Sequence, residues 1–309
     1  MRRVLYLVFL TFTVVQGHQV VHKRGNTFSK EKKVPKSIST DAALSNLMTK
    51  TVPIPANKDY GFTLISPSCA YDMIQQCKQT TEKVFHCDLS QKTCYVIGTP
   101  ITFVVYVCSK TESGAHKEIV GLIPPGSKEN ANLPKYQAVI LPFVPNHDTY
   151  TILDPMRQFN GAPWFFTAKL TGCDMFVATV ENQGNKPLVV HSNRNEEPDV
   201  VKNLQSKEKS VDLLLKNENT AYNVIARVYW TSTDQAEKET INQHLSKYAA
   251  TPGHEKIILI PYDESSEEVG FYFFGHYDGS SWTFVLKGAS TGEIAKFSVS
   301  PLGTVVKAH

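Results

Sequence analysis

Two residues of this chain combine type and spacing in a way that suggests chemistry. Cys173 follows Leu170, Thr171 and Gly172, and His191 lies eighteen residues further on, at the end of an apolar run. A cysteine attacks as the thiolate, and a neighbouring imidazole is the usual group to take its proton. Gly172 lets the backbone turn sharply and presents the amide N–H of the next residue, which an oxyanion hole needs; Thr171 shares that turn. Taken singly, each residue has a plainer reading. A Cys after Gly at a strand start is most often a small buried hydrophobe, and a His ending an apolar strand is usually an edge residue. Their pairing favours the chemical reading. CDMFVATV and PLVVHS read as strands, and ENQGNK between them carries the Gly and Asn of a hairpin turn. An antiparallel return places His191 within a few residues of the position opposite Cys173.

Trp164, Phe165 and Phe166, just upstream, are expected either to wall such a site and contact a protein substrate or to pack in the core. His147, His254 and His276 are alternative bases, each better read as a surface or loop histidine. No HExxH, CxxC or glycine-rich phosphate loop appears, and a serine nucleophile elbow of the α/β-hydrolase kind is not expected. No metal ligand set and no cofactor are predicted.

The elements that must position these residues come from a chain of 309 residues, 41% hydrophobic and 20% charged, with net charge +3. That balance is globular and too nearly neutral to suggest a nucleic-acid partner. MRR followed by the apolar run VLYLVFLTFTVV reads as a secretory signal peptide over residues 1–17. The run is short for a bilayer span, so the mature chain is expected to be secreted, with no stable membrane insertion, and monomeric. Residues 18–58 read as a flexible basic arm, and residues 59–309 as a single globular domain whose part 59–135 is rich in cysteine. Cys69, Cys77, Cys87, Cys94 and Cys108 fall within forty residues, while Cys173 stands apart. Bridges among the five are expected, with their pairing open; if Cys173 is kept as a thiol, one of the five is left over.

From residue 59 onward β-branched runs dominate. KTCYVIGTPITFVVYVCSK reads as two strands broken at Gly98, Thr99 and Pro100. AVILPFV, 138–144, reads as a buried strand bent or placed at an edge by Pro142. EEPDVVKNLQSKEKSVDLLLKN reads as a helix or as a loop plus strand, and YNVIARVYWTS as a strand. Residues 232–235 cap a helix over QAEKETINQHLSKYA, and KIILIPY, GFYFFGHY, SWTFVLKG and KFSVSPLGTVVK supply further strands. The fold class is therefore α+β: a mixed or antiparallel β-sandwich core flanked by helices and long loops.

Leu170, Thr171, Gly172 and Cys173, then a strand, a turn and a second strand ending in His191, resemble the catalytic segment of the cytotoxic necrotizing factor family. Burkholderia lethal factor and the chemoreceptor glutamine deamidases are similar. The resemblance covers residues 164–193. Thr171 stands where the family usually has Ser, and the Cys-to-His gap is longer here. The resemblance implies a β-sandwich deamidase-toxin fold and a secreted toxin or effector acting on a glutamine of a host protein, inside a target cell after entry by a separate route. Some members also transglutaminate. In that chemistry Cys173 attacks the side-chain amide, His191 moves the proton, a main-chain carbonyl orients the histidine, and no cofactor is required. The competing reading is a secreted, non-enzymatic β-sandwich binding protein stapled by disulfides. A papain-type enzyme is disfavoured, because it needs its Cys at a helix N-terminus and CDMFVATV is too β-branched and aromatic for that.

Overall fold

The computed structural model describes residues 85–308 apart from short intervals, the longest being 124–134, 155–163 and 264–270. The expected signal peptide, the basic arm and the stretch containing Cys69 and Cys77 lie outside the described residues.

Alternating apolar residues build two mixed sheets. One has seven strands: β1 (Phe85–Asp88), β2 (Thr93–Val96), β6 (Asp148–Ile152), β8 (Asp174–Val180), β9 (Leu188–Ser192), β10 (Tyr222–Trp230) and β11 (Ile258–Tyr262), in the order β1-β2-β6-β9-β8-β10-β11. The other has eight: β3 (Ile101–Glu112), β4 (Ala115–Ile123), β5 (Lys135–Leu141), β7 (Trp164–Thr167), β12 (Phe271–Tyr277), β13 (Trp282–Gly288), β14 (Gly292–Val299) and β15 (Val305–Ala308), in the order β15-β14-β13-β12-β7-β5-β3-β4. Most neighbours are antiparallel, but β10–β11, β2–β6 and β5–β7 are parallel.

The two sheets face each other. Cys173, Met175, Val177, Val189, Ala226 and Val228 of the first pack with Phe165, Phe273, Trp282, Phe284 and Phe297 of the second in one buried cluster. The period-two alternation sends Phe176, Ala178, Leu188 and Val190 to the outer face of the seven-stranded sheet. There they meet Val211, Leu214 and Leu215 of helix α1 (Val200–Asn217). Helix α2 (Gln235–Ala249) adds Ile241 and Leu245 against Leu204 and Tyr229. Asp234 caps α2 by accepting from Glu237 N at 2.9 Å, the cap expected from the sequence. The architecture is thus a two-sheet sandwich with a helical layer on one outer face. Among the described residues no helix is long and apolar enough to cross a membrane.

Two readings of the sequence are refined. The segment after His191 that could be read as helix or strand is α1, whose buried Leu204, Val211, Leu214 and Leu215 recur at helical spacing and face the sheet. Pro142 itself lies outside the described residues, and the edge expected there is not found in β5. The strand ends at Leu141, before the proline, and lies between β7 and β3, inside the sheet. Among the described residues the proline that does sit within a strand, Pro261, is on β11, which is an edge.

The hairpin between β8 and β9 is the element that carries Cys173 and His191, and its turn is pinned to the opposite sheet. Gly184 N donates to Pro301 O at 2.9 Å, and Asn182 N donates to Leu302 O at 3.1 Å. A Cβ on Gly184 would lie 1.7 Å from Ser300 O, so only glycine admits this approach. Gly184→Ala should therefore lower the urea midpoint of unfolding by the equivalent of about 1–3 kcal/mol, the usual cost of overpacking.

Candidate active site

The site forms where the chain crosses from one sheet to the other. Thr167 ends β7 in the eight-stranded sheet, and Cys173 immediately precedes β8 in the seven-stranded one. Between them Leu170 makes a two-way backbone pair with Phe271, and Gly172 turns with φ +88°. That positive φ is the conformation for which glycine is suited. Thr171 and Gly172 are exposed, while Cys173 is 5% exposed.

The hairpin register sets His191 against Cys173. Met175 pairs with His191 and Asp174 with Ser192. Cys173 therefore shares the inner face with His191, one diagonal step away along the ladder; the hydrogen bond of its thiol goes to Asn193 and not to His191 Nε2. Cys173 is a thiol, whereas Cys94 is disulfide-bonded.

His191 is oriented from the opposite sheet. Its Nδ1 lies 2.7 Å from Thr167 Oγ1, and that hydroxyl donates to Leu141 O at 3.0 Å. A threonine hydroxyl has one proton. With that proton given to Leu141 O, Thr167 must accept from Nδ1–H, which makes Nε2 the basic nitrogen of the ring. His191 is fully buried, and burial, helped by the Lys207 charge and opposed by Asp174, pushes its pKa down to about 3. At neutral pH His191 is thus a neutral imidazole.

The backbone at Cys173 is clamped from two sides. Tyr262 Oη, from edge strand β11, accepts from Gly172 N at 3.1 Å and donates to Cys173 O at 2.5 Å. On the other face Lys207 Nζ of α1 donates to Gly172 O at 3.0 Å and to Asp174 Oδ1 at 2.7 Å. Asp174 also accepts from Arg227 Nε and Nη2, at 2.9 and 2.7 Å, and Arg227 Nη1 reaches Glu208, which in turn meets His244 Nε2 at 2.8 Å. Burial alone would raise the Asp174 pKa, but Lys207 and Arg227 hold it below the ordinary carboxylate value. Arg227 lies over the Phe176 ring at 4.9 Å, so its charge is held by carboxylates and an aromatic face together.

At the open end, Cys173 Sγ donates to Asn193 Oδ1 at 3.2 Å, and Asn193 is only partly buried. Asp148 of β6 accepts from Arg194 Nε at 2.7 Å and from Ser210 Oγ, bracing the chain just beyond His191.

Sequence reasoning brought together Cys173, His191, Gly172 and Thr171, and the structure places all four at one end of the hairpin. Trp164, Phe165 and Phe166 are 5%, 0% and 1% exposed. They pack within the protein instead of offering surface to a substrate: Trp164 stacks on Phe166 with centroids 5.9 Å apart, and Phe165 packs edge-on against Phe273. His276 lies against the Trp164 ring, 4.4 Å away, and His254 against Tyr248. The spacing Gly288, Ser290, Gly292 fits a serine elbow, but it joins antiparallel β13 and β14 and not a strand to a helix. Thr167, Tyr262, Lys207 and Asn193 were not singled out from sequence. Among the described residues no group of His, Cys, Asp and Glu could hold a metal ion.

Compared with known proteins, the chain matches no family model and no curated protein.

The burial of His191 sets an acid sensitivity. The unfolded chain takes up a proton at this residue near pH 6.5, and the folded chain does so only near pH 3. Unfolding therefore gains protons as pH falls below 6.5, and stability drops across that window while none is lost above it. The urea midpoint should fall between pH 7 and about pH 5, and His191→Gln should flatten that fall. The flattening should be partial, because burial lowers the His276 pKa in the same direction.

Proposed function

We propose that this protein is a secreted glutamine deamidase of the deamidase-toxin kind, acting on a host protein through a Cys173–His191 pair. The observation that carries the reading is the chain of contacts from one sheet to the other. A thiol sits on a glycine turn, a histidine shares its face on the paired strand, and Thr167 with Leu141 O fixes the histidine's tautomer so that Nε2 is the base. The main-chain carbonyl expected of the resembling family would here be Leu141 O, acting through a hydroxyl.

The reaction runs as follows. His191 Nε2 takes the Cys173 proton as sulfur attacks the amide carbon of a glutamine side chain. The C–S bond forms and the carbonyl π pair moves to oxygen, where the backbone N–H of Cys173, at the end of the Gly172 turn, supports the charge. The oxyanion collapses, His191 returns the proton to the departing nitrogen, and ammonia leaves a thioester. Water, deprotonated by His191, hydrolyses the thioester to glutamate and restores the thiol. A primary amine in place of water gives the transglutaminated product. No metal or organic group takes part in these steps.

One observation favours a second reading, a non-enzymatic binding sandwich: Cys173 is only 5% exposed and belongs to the buried core cluster. Mass spectrometry of host-cell lysate proteins treated with the chain separates the two. Glutamine-to-glutamate conversion that vanishes with Cys173→Ser supports the deamidase; no conversion by a folded wild-type chain with its thiol intact supports the binding sandwich. On a converted substrate, Thr167→Val should lower kcat at least about tenfold with KM little changed, since it removes tautomer control and not a binding contact.

A further inference from the structure

The contact between Cys173 Sγ and Asn193 Oδ1, at 3.2 Å, has no part in the proton transfer just described. Asn193 follows β9 and continues its register, one step beyond the Asp174–Ser192 pair, and so lies opposite Cys173. Its own backbone is held, with Asn193 N donating to His147 O at 3.2 Å. A carboxamide carries an acceptor oxygen and two N–H donors on one planar group. While sulfur is a thiol, the oxygen end suits it. Once the S–H bond breaks, the electron pair stays on sulfur and the proton passes to His191 Nε2. A carboxamide oxygen facing that anion would be repelled, and the amino end in the same place would donate a charge-assisted bond. The turn needed is about the terminal torsion of asparagine, which is soft.

The surroundings make such a donor consequential, because a thiolate formed at a 5%-exposed sulfur receives little help from water. The polar groups described above at this turn have other engagements. Lys207 of α1 bonds Gly172 O and Asp174, Asp174 is held by Lys207 and Arg227, and Tyr262 of β11 bonds Gly172 N and Cys173 O. His191 of β9 supplies the base and becomes the cation of the pair.

We infer that Asn193 is a further catalytic residue, accepting from the resting Cys173 thiol and turning to donate to its thiolate. The inference rests on Cys173 being the nucleophile proposed above.

The test is iodoacetamide alkylation of the full chain, followed at the Cys173 peptide by mass spectrometry as a function of pH, for wild type, Asn193→Ala and the isosteric Asn193→Asp. Thermal unfolding of each variant checks the fold, and if Asn193→Ala does not fold, Asn193→Asp carries the comparison. The expected result is alkylation at neutral pH about tenfold slower in Asn193→Ala, with the titration midpoint moved up, and slower still in Asn193→Asp, which brings a negative charge and no donor. Identical midpoints in folded wild type and variants overturn the inference. Asn193-dependent alkylation in a chain that converts no glutamine overturns the deamidase reading and leaves this one standing. Glutamine conversion with alkylation indifferent to Asn193 does the reverse. A wild-type thiol that alkylates only on unfolding overturns both.

Discussion

The arrangement at the hairpin depends on one buried carboxylate. Asp174 follows Cys173 directly, and strand alternation turns its side chain to the face opposite the one Cys173 shares with the core. There it is fully buried and bound by both Arg227 and Lys207. An ionised carboxylate in that position is tolerable only because two cations meet it, and removing one partner from such a group typically costs about 3–5 kcal/mol. Through Lys207 the same network grips Gly172 O. It therefore fixes the backbone on which the sulfur is carried and joins α1 to the sheet at that point.

A second constraint comes from the opposite side. The histidine belongs to the seven-stranded sheet, while the hydroxyl and carbonyl that orient it belong to β7 and β5 of the eight-stranded one. The geometry of the pair is consequently a property of the sandwich as a whole. It requires the Phe165, Phe273 and Phe284 layer to hold the two sheets at a fixed separation, as a close-packed interior does. Phe165 has this structural task, while Trp164 and Phe166 stack on each other on the opposite face of β7.

What could be read in the sequence was local. The β8–β9 hairpin announced itself by two β-branched runs around Gly184 and its flanking asparagines. The α2 helix announced itself by its cap at Asp234, and the turn before Cys173 by Gly172. What could not be read lies far away in the chain. Tyr262 is eighty-nine residues from Cys173, and Arg227 fifty-three from Asp174. Thr167 was within the stretch that drew notice, yet WFFT looks like any core strand, and only the packing of two sheets points its hydroxyl at His191. The α1 segment was ambiguous because its run of Leu213, Leu214 and Leu215 fits a strand as well as a helix until its outer face is seen. Pro142 misled because it stands one residue past the strand it seemed to interrupt.

The chain also keeps two sulfur chemistries apart. Cys94 is locked in a disulfide, and Cys173 remains a thiol. Thiolates exchange with disulfides wherever the two can collide in line, so a reactive cysteine in the same polypeptide is a standing hazard to any bridge. Here Cys173 is 5% exposed and its sulfur is held by Asn193 Oδ1, which narrows the in-line approach that exchange with a disulfide needs. The 5% exposure of Cys173 thus gives the redox pattern a steric guard against bulky disulfide partners.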